Sequence, residues 1–180
     1  GSSWDNATSP TSNNLSGVTF GNNTFVAVGN SGTIVKSTDT GSSWDNATSP
    51  TSNNLSGVTF GNNTFVTVGY AGTLLTSSDG TSWTSRTSDT TKRLESVTYG
   101  NGTFVAVGEL GTIQTSSDGT TWTSRTGVTS NSLYGIIYEN NSFVTVGQGG
   151  TILTSTDGIS WTSWTSLLHQ NRLYEITYSE

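Results

Sequence analysis

The 180-residue chain contains no cysteine, which rules out a disulfide framework and any thiol chemistry. A single histidine, His169, excludes a multi-histidine metal site within one chain. Positive charge is also scarce: six Lys and Arg stand against twelve Asp and Glu, a formal net charge of −6. Phosphate recognition needs clustered cations. Here Lys36, Arg86, Lys92, Arg93, Arg125 and Arg172 are scattered, with Lys92–Arg93 the one adjacent pair. Nucleic acid is therefore not an expected partner. No apolar run approaches a membrane span and no signal peptide is visible, so no membrane partner is expected either. Absent cysteine and loops rich in Ser, Thr, Asn and Gly are compatible with an extracellular or cell-surface protein.

A chain with 10% charged residues could be disordered, but disordered chains are poor in aromatic and β-branched residues. This one holds six Trp, six Tyr and six Phe with abundant Val, Ile and Thr, a strand-forming mixture. Trp4, Trp44, Trp83, Trp122 and Trp161 recur every 39 or 40 residues. Each unit reads as four short strands, A to D. In the third, "LESVTYG" (94–100) is followed by "TFVAVG" (103–108), "GTIQTSS" (111–117) and "TTWTSRT" (120–126). Apolar and polar residues alternate, and Gly, Asn and Asp punctuate the junctions. Links such as Asn62–Asn63 and Asn101–Gly102 suit tight hairpins with positive φ. Four strands per unit of about 40 residues mark a β-propeller blade. The expected fold is an all-β propeller in a single domain, residues 1–180. Blades fall near 15–50, 55–89, 94–128 and 133–166, with A innermost and D at the rim.

The chain opens in mid-motif with a D strand around Trp4 (1–10) and closes on an A strand (173–179). A fifth blade is thus expected to hold A and D without B and C. A start of this kind reads as a trimmed edge, and the unpaired edges leave oligomerisation open. Residues 1–26 and 41–66 are identical, and the first difference is Ala27 against Thr67. Recent duplication or deliberate engineering is expected from such identity.

Between the C and D strands the units carry "STDTGSSW" (37–44), "SSDGTSW" (77–83), "SSDGTTW" (116–122) and "STDGISW" (155–161). These strings resemble the Asp-box, or BNR, repeat of sialidases and other bacterial propellers. The longer pattern at 100–126 resembles BNR-like repeats of uncharacterised secreted and phage-associated proteins and of propellers related to the photosystem II assembly factor. The resemblance implies that the box forms the C–D hairpin. Independently, an Asp in a turn accepts backbone N–H bonds while Gly supplies conformational freedom and Trp buries a large face. Asp39, Asp79, Asp118 and Asp157, with Trp44, Trp83, Trp122 and Trp161, are read as structural fasteners. The rival reading is a calcium loop, but each box offers one carboxylate. No metal and no cofactor are expected.

In a propeller the D–A and B–C loops share one face. Here those loops diverge while the strands stay constant, as expected where loops carry recognition. Candidate ligand-binding residues on that face are Tyr70, Glu109, Gln148, Tyr134, Tyr174, Lys92, Arg93, His169 and Asn171. Aromatic faces beside amides and carboxylates suit a glycan; a protein partner is the other expectation. A sialidase resemblance would imply an arginine cluster, which Arg86, Arg93, Arg125 and Arg172 do not supply from such positions. The expected function is therefore a non-enzymatic binding or scaffold module. Alternatives are a recently amplified or engineered propeller without a selected ligand, or a fragment of a sialidase-like glycoside-processing enzyme.

Overall fold

The structure, a computed structural model, describes residues 6–126, 128–164 and 171–177. Trp4 and His169 lie outside these residues.

Four antiparallel sheets of four strands follow one another along the chain. Blade 1 contains β1 (Leu15–Gly21), β2 (Thr24–Gly29), β3 (Ile34–Ser37) and β4 (Asp45–Asn46). Blade 2 contains β5 (Leu55–Gly61), β6 (Thr64–Gly69), β7 (Leu74–Ser77) and β8 (Thr84–Arg86). Blade 3 holds β9 (Leu94–Gly100), β10 (Thr103–Gly108), β11 (Ile113–Ser116) and β12 (Thr123–Arg125). Blade 4 holds β13 (Leu133–Glu139), β14 (Ser142–Gly147), β15 (Ile152–Ser155) and β16 (Thr162–Trp164). The fold is a β-propeller. Its A–B hairpins close through residues at positive φ, Asn62 and Asn63 at 45° and 54°, Asn101 and Gly102 at 46° and 73°. Both central residues sit in the left-handed region that tight hairpin turns demand.

The A strands β1, β5, β9 and β13 lie side by side in that order. They approach closely because small residues face them. A Cβ on Gly57 would lie 3.3 Å from the Cα of Ser96. At the strand end, a Cβ on Gly61 would strike the Tyr99 ring at 2.1 Å, so glycine there seats the next blade's aromatic. Between blades lies the core. From blade 1 come Val26, Val28 and Ile34; from blade 2 come Leu55, Val58, Phe65, Leu75 and Trp83. The same set recurs between blades 2 and 3, and between 3 and 4. Within each blade an aromatic triad supports it. Phe60 tilts on Phe65 at 4.6 Å and Phe65 on Trp83 at 6.3 Å, in the range for edge-to-face attraction.

Two local expectations need correction. Trp122 and its equivalents precede the D strand, because the indole N–H turns back to bond Gly119 O at 2.8 Å. Residues 173–177 occupy the A position of a fifth blade but form no ladder, because among the described residues no B strand lies beside them. The D strand expected around Trp4 lies outside the described residues; beside it, Thr8 bridges Ser43 as Thr48 bridges Ser82 one repeat later.

Candidate functional site

The B–C connections are short 3₁₀ turns at Asn30–Gly32, Tyr70–Gly72, Glu109–Gly111 and Gln148–Gly150. Each is locked against the D–A loops. The Tyr70 N–H donates to Asn54 O at 2.9 Å, and the Glu109 N–H donates to Arg93 O at 2.9 Å. A Cβ on Gly72 would lie 1.9 Å from Thr90 O, so this glycine, at φ +68°, lets the turn press onto the next loop. The two loop sets therefore form one continuous, hydrogen-bonded face.

Two groups of the expected site residues meet there. In the first, the Arg93 guanidinium lies over the Tyr70 ring at 4.3 Å and pairs with Glu95 at 2.8 Å. Arg93 Nε also donates to Ser56 Oγ at 3.3 Å, and its backbone N–H donates to Glu109 Oε2 at 3.1 Å. A cation over an aromatic face and beside a carboxylate is held on both sides. Burial raises the pKa of Glu95 from its ordinary value; Arg93 opposes the shift and Glu109 adds to it. In the second group, the Tyr134 and Tyr174 rings stack with centroids 5.3 Å apart. Tyr174 remains exposed.

The remaining expected residues stand apart. Gln148 and Lys92 are exposed, with backbone contacts to Ser132 O and Thr90 Oγ1 respectively. Asn171 accepts the Gly150 N–H through its carbonyl at 2.7 Å. The loop-based set omits Glu95, which joins Tyr134 and Tyr174 on the wall of a cavity of about 810 Å³ between the A strands. Superposing the repeats exposes it: Ser16, Ser56, Glu95, Tyr134 and Tyr174 all hold the second place of an A segment. The same cavity runs outward past Leu15, Val18 and Trp44 of blade 1.

On the opposite face the aspartates hold their turns. Asp79 Oδ1 accepts the Thr81 and Ser82 N–H groups at 2.8 and 3.1 Å and the Ser77 hydroxyl at 3.0 Å. Ser77 Oγ in turn accepts the Gly80 N–H at 2.9 Å. Asp118 and Asp157 repeat this pattern, and Asp39, with a longer turn, takes both the N–H and the hydroxyl of Ser43. These donors favour the charged form. The Ser43 hydroxyl and N–H, with the Ser37 hydroxyl, lower the Asp39 pKa to about 2. Asp79 is lowered chiefly by the Thr81 N–H, Asp118 by the Thr120 hydroxyl and Asp157 by the Ser160 N–H. Among the described residues no group of three His, Cys, Asp or Glu side chains is placed to hold a metal.

No protein-family model and no curated protein matches the sequence. Among solved structures, "YCF48 bound to D1 peptide" matches with TM-score 0.69 and 21% identity, over 86% of this chain and 54% of that one. The computationally designed Ika8 protein matches with TM-score 0.71 and 17% identity, over 92% of this chain and 53% of that one. The GH74 enzyme of Niastella koreensis matches with TM-score 0.59 and 22% identity, over 82% and 24%. The chain thus spans about half the length of the first two, and what it shares with all three is the propeller fold.

Proposed function

We propose that the chain is a non-enzymatic binding module whose ligand sits on the loop face, at the mouth of the cavity between the A strands. The observation that carries this is the stacked Tyr134–Tyr174 pair on the same wall as Glu95. An exposed ring beside hydrogen-bonding side chains is the usual furniture of a sugar site, where C–H faces stack and hydroxyls bond to carboxylates and amides. A glycan is therefore the first ligand class. The arginines support binding over sialidase-like hydrolysis. Arg86 and Arg125 hydrogen-bond back to Thr76 and Thr115 from their D strands, and Arg93 is engaged by Glu95 and Tyr70.

A second reading, an extended peptide on the same face, is favoured by the solved YCF48 complex with the D1 peptide. A glycan array probed with the purified chain, followed by titration of the hits, tests the first reading. Tyr174→Ala and Glu95→Gln should each abolish binding, Tyr174→Ala without altering the unfolding midpoint, since Tyr174 is exposed. Binding that survives Tyr174→Ala would remove the loop face as the site. An array without hits, with capture from a random-peptide display that Tyr174→Ala abolishes, would transfer the site to peptides.

A further inference from the structure

The blade-to-blade interface is built three times in the same way, and a fourth copy of one side stands uncovered. In blade 2, Leu55 is 1% exposed and Val58 9%, because Val26, Val28 and Ile34 of blade 1 cover them. In blade 1 the equivalent Leu15 and Val18 are 44% and 64% exposed, and Phe20 is 54% exposed. The two stretches are identical in sequence, so the difference comes from the neighbour and not from the residues.

Across the gap lies segment 171–177. It follows β13 as each A strand follows the one before: a Cβ on Gly135 would lie 3.3 Å from Glu175 Cα, as one on Gly57 does from Ser96 Cα. Its backbone is anchored to blade 4 through Leu173 N–H to Gly147 O at 3.1 Å. Beyond that anchor no described strand pairs with it. One wall of the gap is thus an apolar surface, and the other is a strand-like backbone edge whose N–H and C=O groups, beyond the Leu173 anchor, pair with no strand among the described residues. Such an edge is a template for strand addition.

We propose that this gap is a docking slot for a β-hairpin supplied by a separate polypeptide. The hairpin's first strand pairs antiparallel with residues 173–177. Alternate valines on that strand, and a branched residue opening the second, cover Leu15, Val18 and Phe20. The chemistry required of the partner is read from the interfaces already formed, where Val-x-Val of β2 and Ile34 of β3 do this for blade 2. A second copy of this chain fits poorly. Its B strands β2, β6, β10 and β14 are each paired on both sides, so none is available without unfolding a blade. Its free D edges are short and largely exposed, without the Val-x-Val pattern.

The probe is a fluorescently labelled peptide with the sequence of residues 24–37, TFVAVGNSGTIVKS, titrated with the full chain. Saturable one-to-one binding in the micromolar range is expected, weakened at least roughly ten-fold by Val18→Asp in the chain. Changing both peptide valines that match Val26 and Val28 to Asp should do the same. Val18 is exposed, so Val18→Asp keeps the circular dichroism spectrum and unfolding midpoint of the parent. Amide exchange at 173–177 should slow when peptide is added, which separates strand addition from loose apolar contact. Tyr174 belongs both to the slot strand and to the proposed ligand site, so the two are told apart by Val18→Asp, which weakens the hairpin while glycan binding that depends on Tyr174 persists. Absence of binding at roughly millimolar chain, or binding indifferent to Val18→Asp, overturns the proposal. So does a dimer in sedimentation equilibrium that Val18→Asp dissociates, which would give the slot to a second copy.

Discussion

Leu15 and Leu55 offer a controlled comparison of what a neighbouring blade contributes to stability. Each opens an A strand, and each lies within the same repeated peptide. Leu55 is 1% exposed, packed between its own blade and blade 1, whereas Leu15 is 44% exposed. Truncating a buried leucine to alanine removes its transfer free energy and leaves a cavity, about 2–5 kcal/mol in total. Half-exposed Leu15 forfeits only part of the transfer free energy and leaves a dent that water fills, about 1 kcal/mol. For a chain of this size each kcal/mol moves the melting temperature by about 2–4 °C. Leu55→Ala should therefore lower it by roughly 4–20 °C, and Leu15→Ala by no more than about 4 °C. Urea titration with both variants, compared at unchanged m-value, reads the same difference as a shift in midpoint. Equal losses from the two substitutions would refute the reasoning, since they would mean that the outer face of blade 1 is covered in the free protein.

Three further outcomes follow from particular groups. Asp79→Ala removes the acceptor for Thr81, Ser82 and Ser77; by analogy with a lost helix cap at an exposed site it should cost about 1 kcal/mol, read by urea unfolding, with Asp79→Asn retaining part of the turn. Acid should destabilise the chain through all four turns. Their carboxylates are lowered in the folded state, so their contribution is complete above the unfolded pKa near 4 and is lost as pH falls toward the folded value, about 2 for Asp39. Glu95, raised by burial, has the opposite sign; unfolding midpoints measured from pH 5 to pH 2 should fall, and fall less in Asp79→Asn. Gln114→Leu should stabilise the chain by about 1 kcal/mol, because the Gln114 Oε1 is buried without a partner. The equivalent places hold Val35, Leu75 and Leu153, and a lower melting temperature would show that the amide is satisfied in solution.

The blades were legible because packing repeats at a fixed period. The Trp spacing, the alternation in "TFVAVG" and the Asn–Asn turns each specify a local geometry, and the four sheets follow from their agreement. The loop face was legible as a surface but not as a site. That Arg93 lies over Tyr70 depends on a D–A loop of one junction meeting the B–C turn before it, a contact set by close approach at Gly72 and not by any local pattern. Glu95 falls outside the loop-based set because it sits on an A strand; its place is marked only across the repeats, at the second position of each A segment. The uncovered face of blade 1 could not be read at all from its residues. Leu15 and Leu55 share one local sequence, and burial is a property of what stands beside them.

The same comparison separates what the repeat holds fixed from what it varies. Leu15, Leu55, Leu94, Leu133 and Leu173 open every A segment, and the Val-x-Val of the B strands persists in all four blades. At the three formed boundaries, Leu55, Leu94 and Leu133 meet the valines of the preceding blade, so a change in volume in one blade must be matched in the next. One position further along the A strand the residues run Ser16, Ser56, Glu95, Tyr134 and Tyr174; at the start of the B–C turn they run Asn30, Tyr70, Glu109 and Gln148. Glu95, Tyr134 and Tyr174 face the cavity, and Tyr70, Glu109 and Gln148 top the loop face, so neither series fills the space between sheets. A substitution in either series is cheap for the fold and changes the chemistry at the cavity mouth. Two identical serines at one side and two stacked tyrosines at the other make that mouth asymmetric although its frame is repeated. The proposed ligand, stacked on Tyr174, would therefore meet Glu95 on one flank and the open wall of blade 1 on the other.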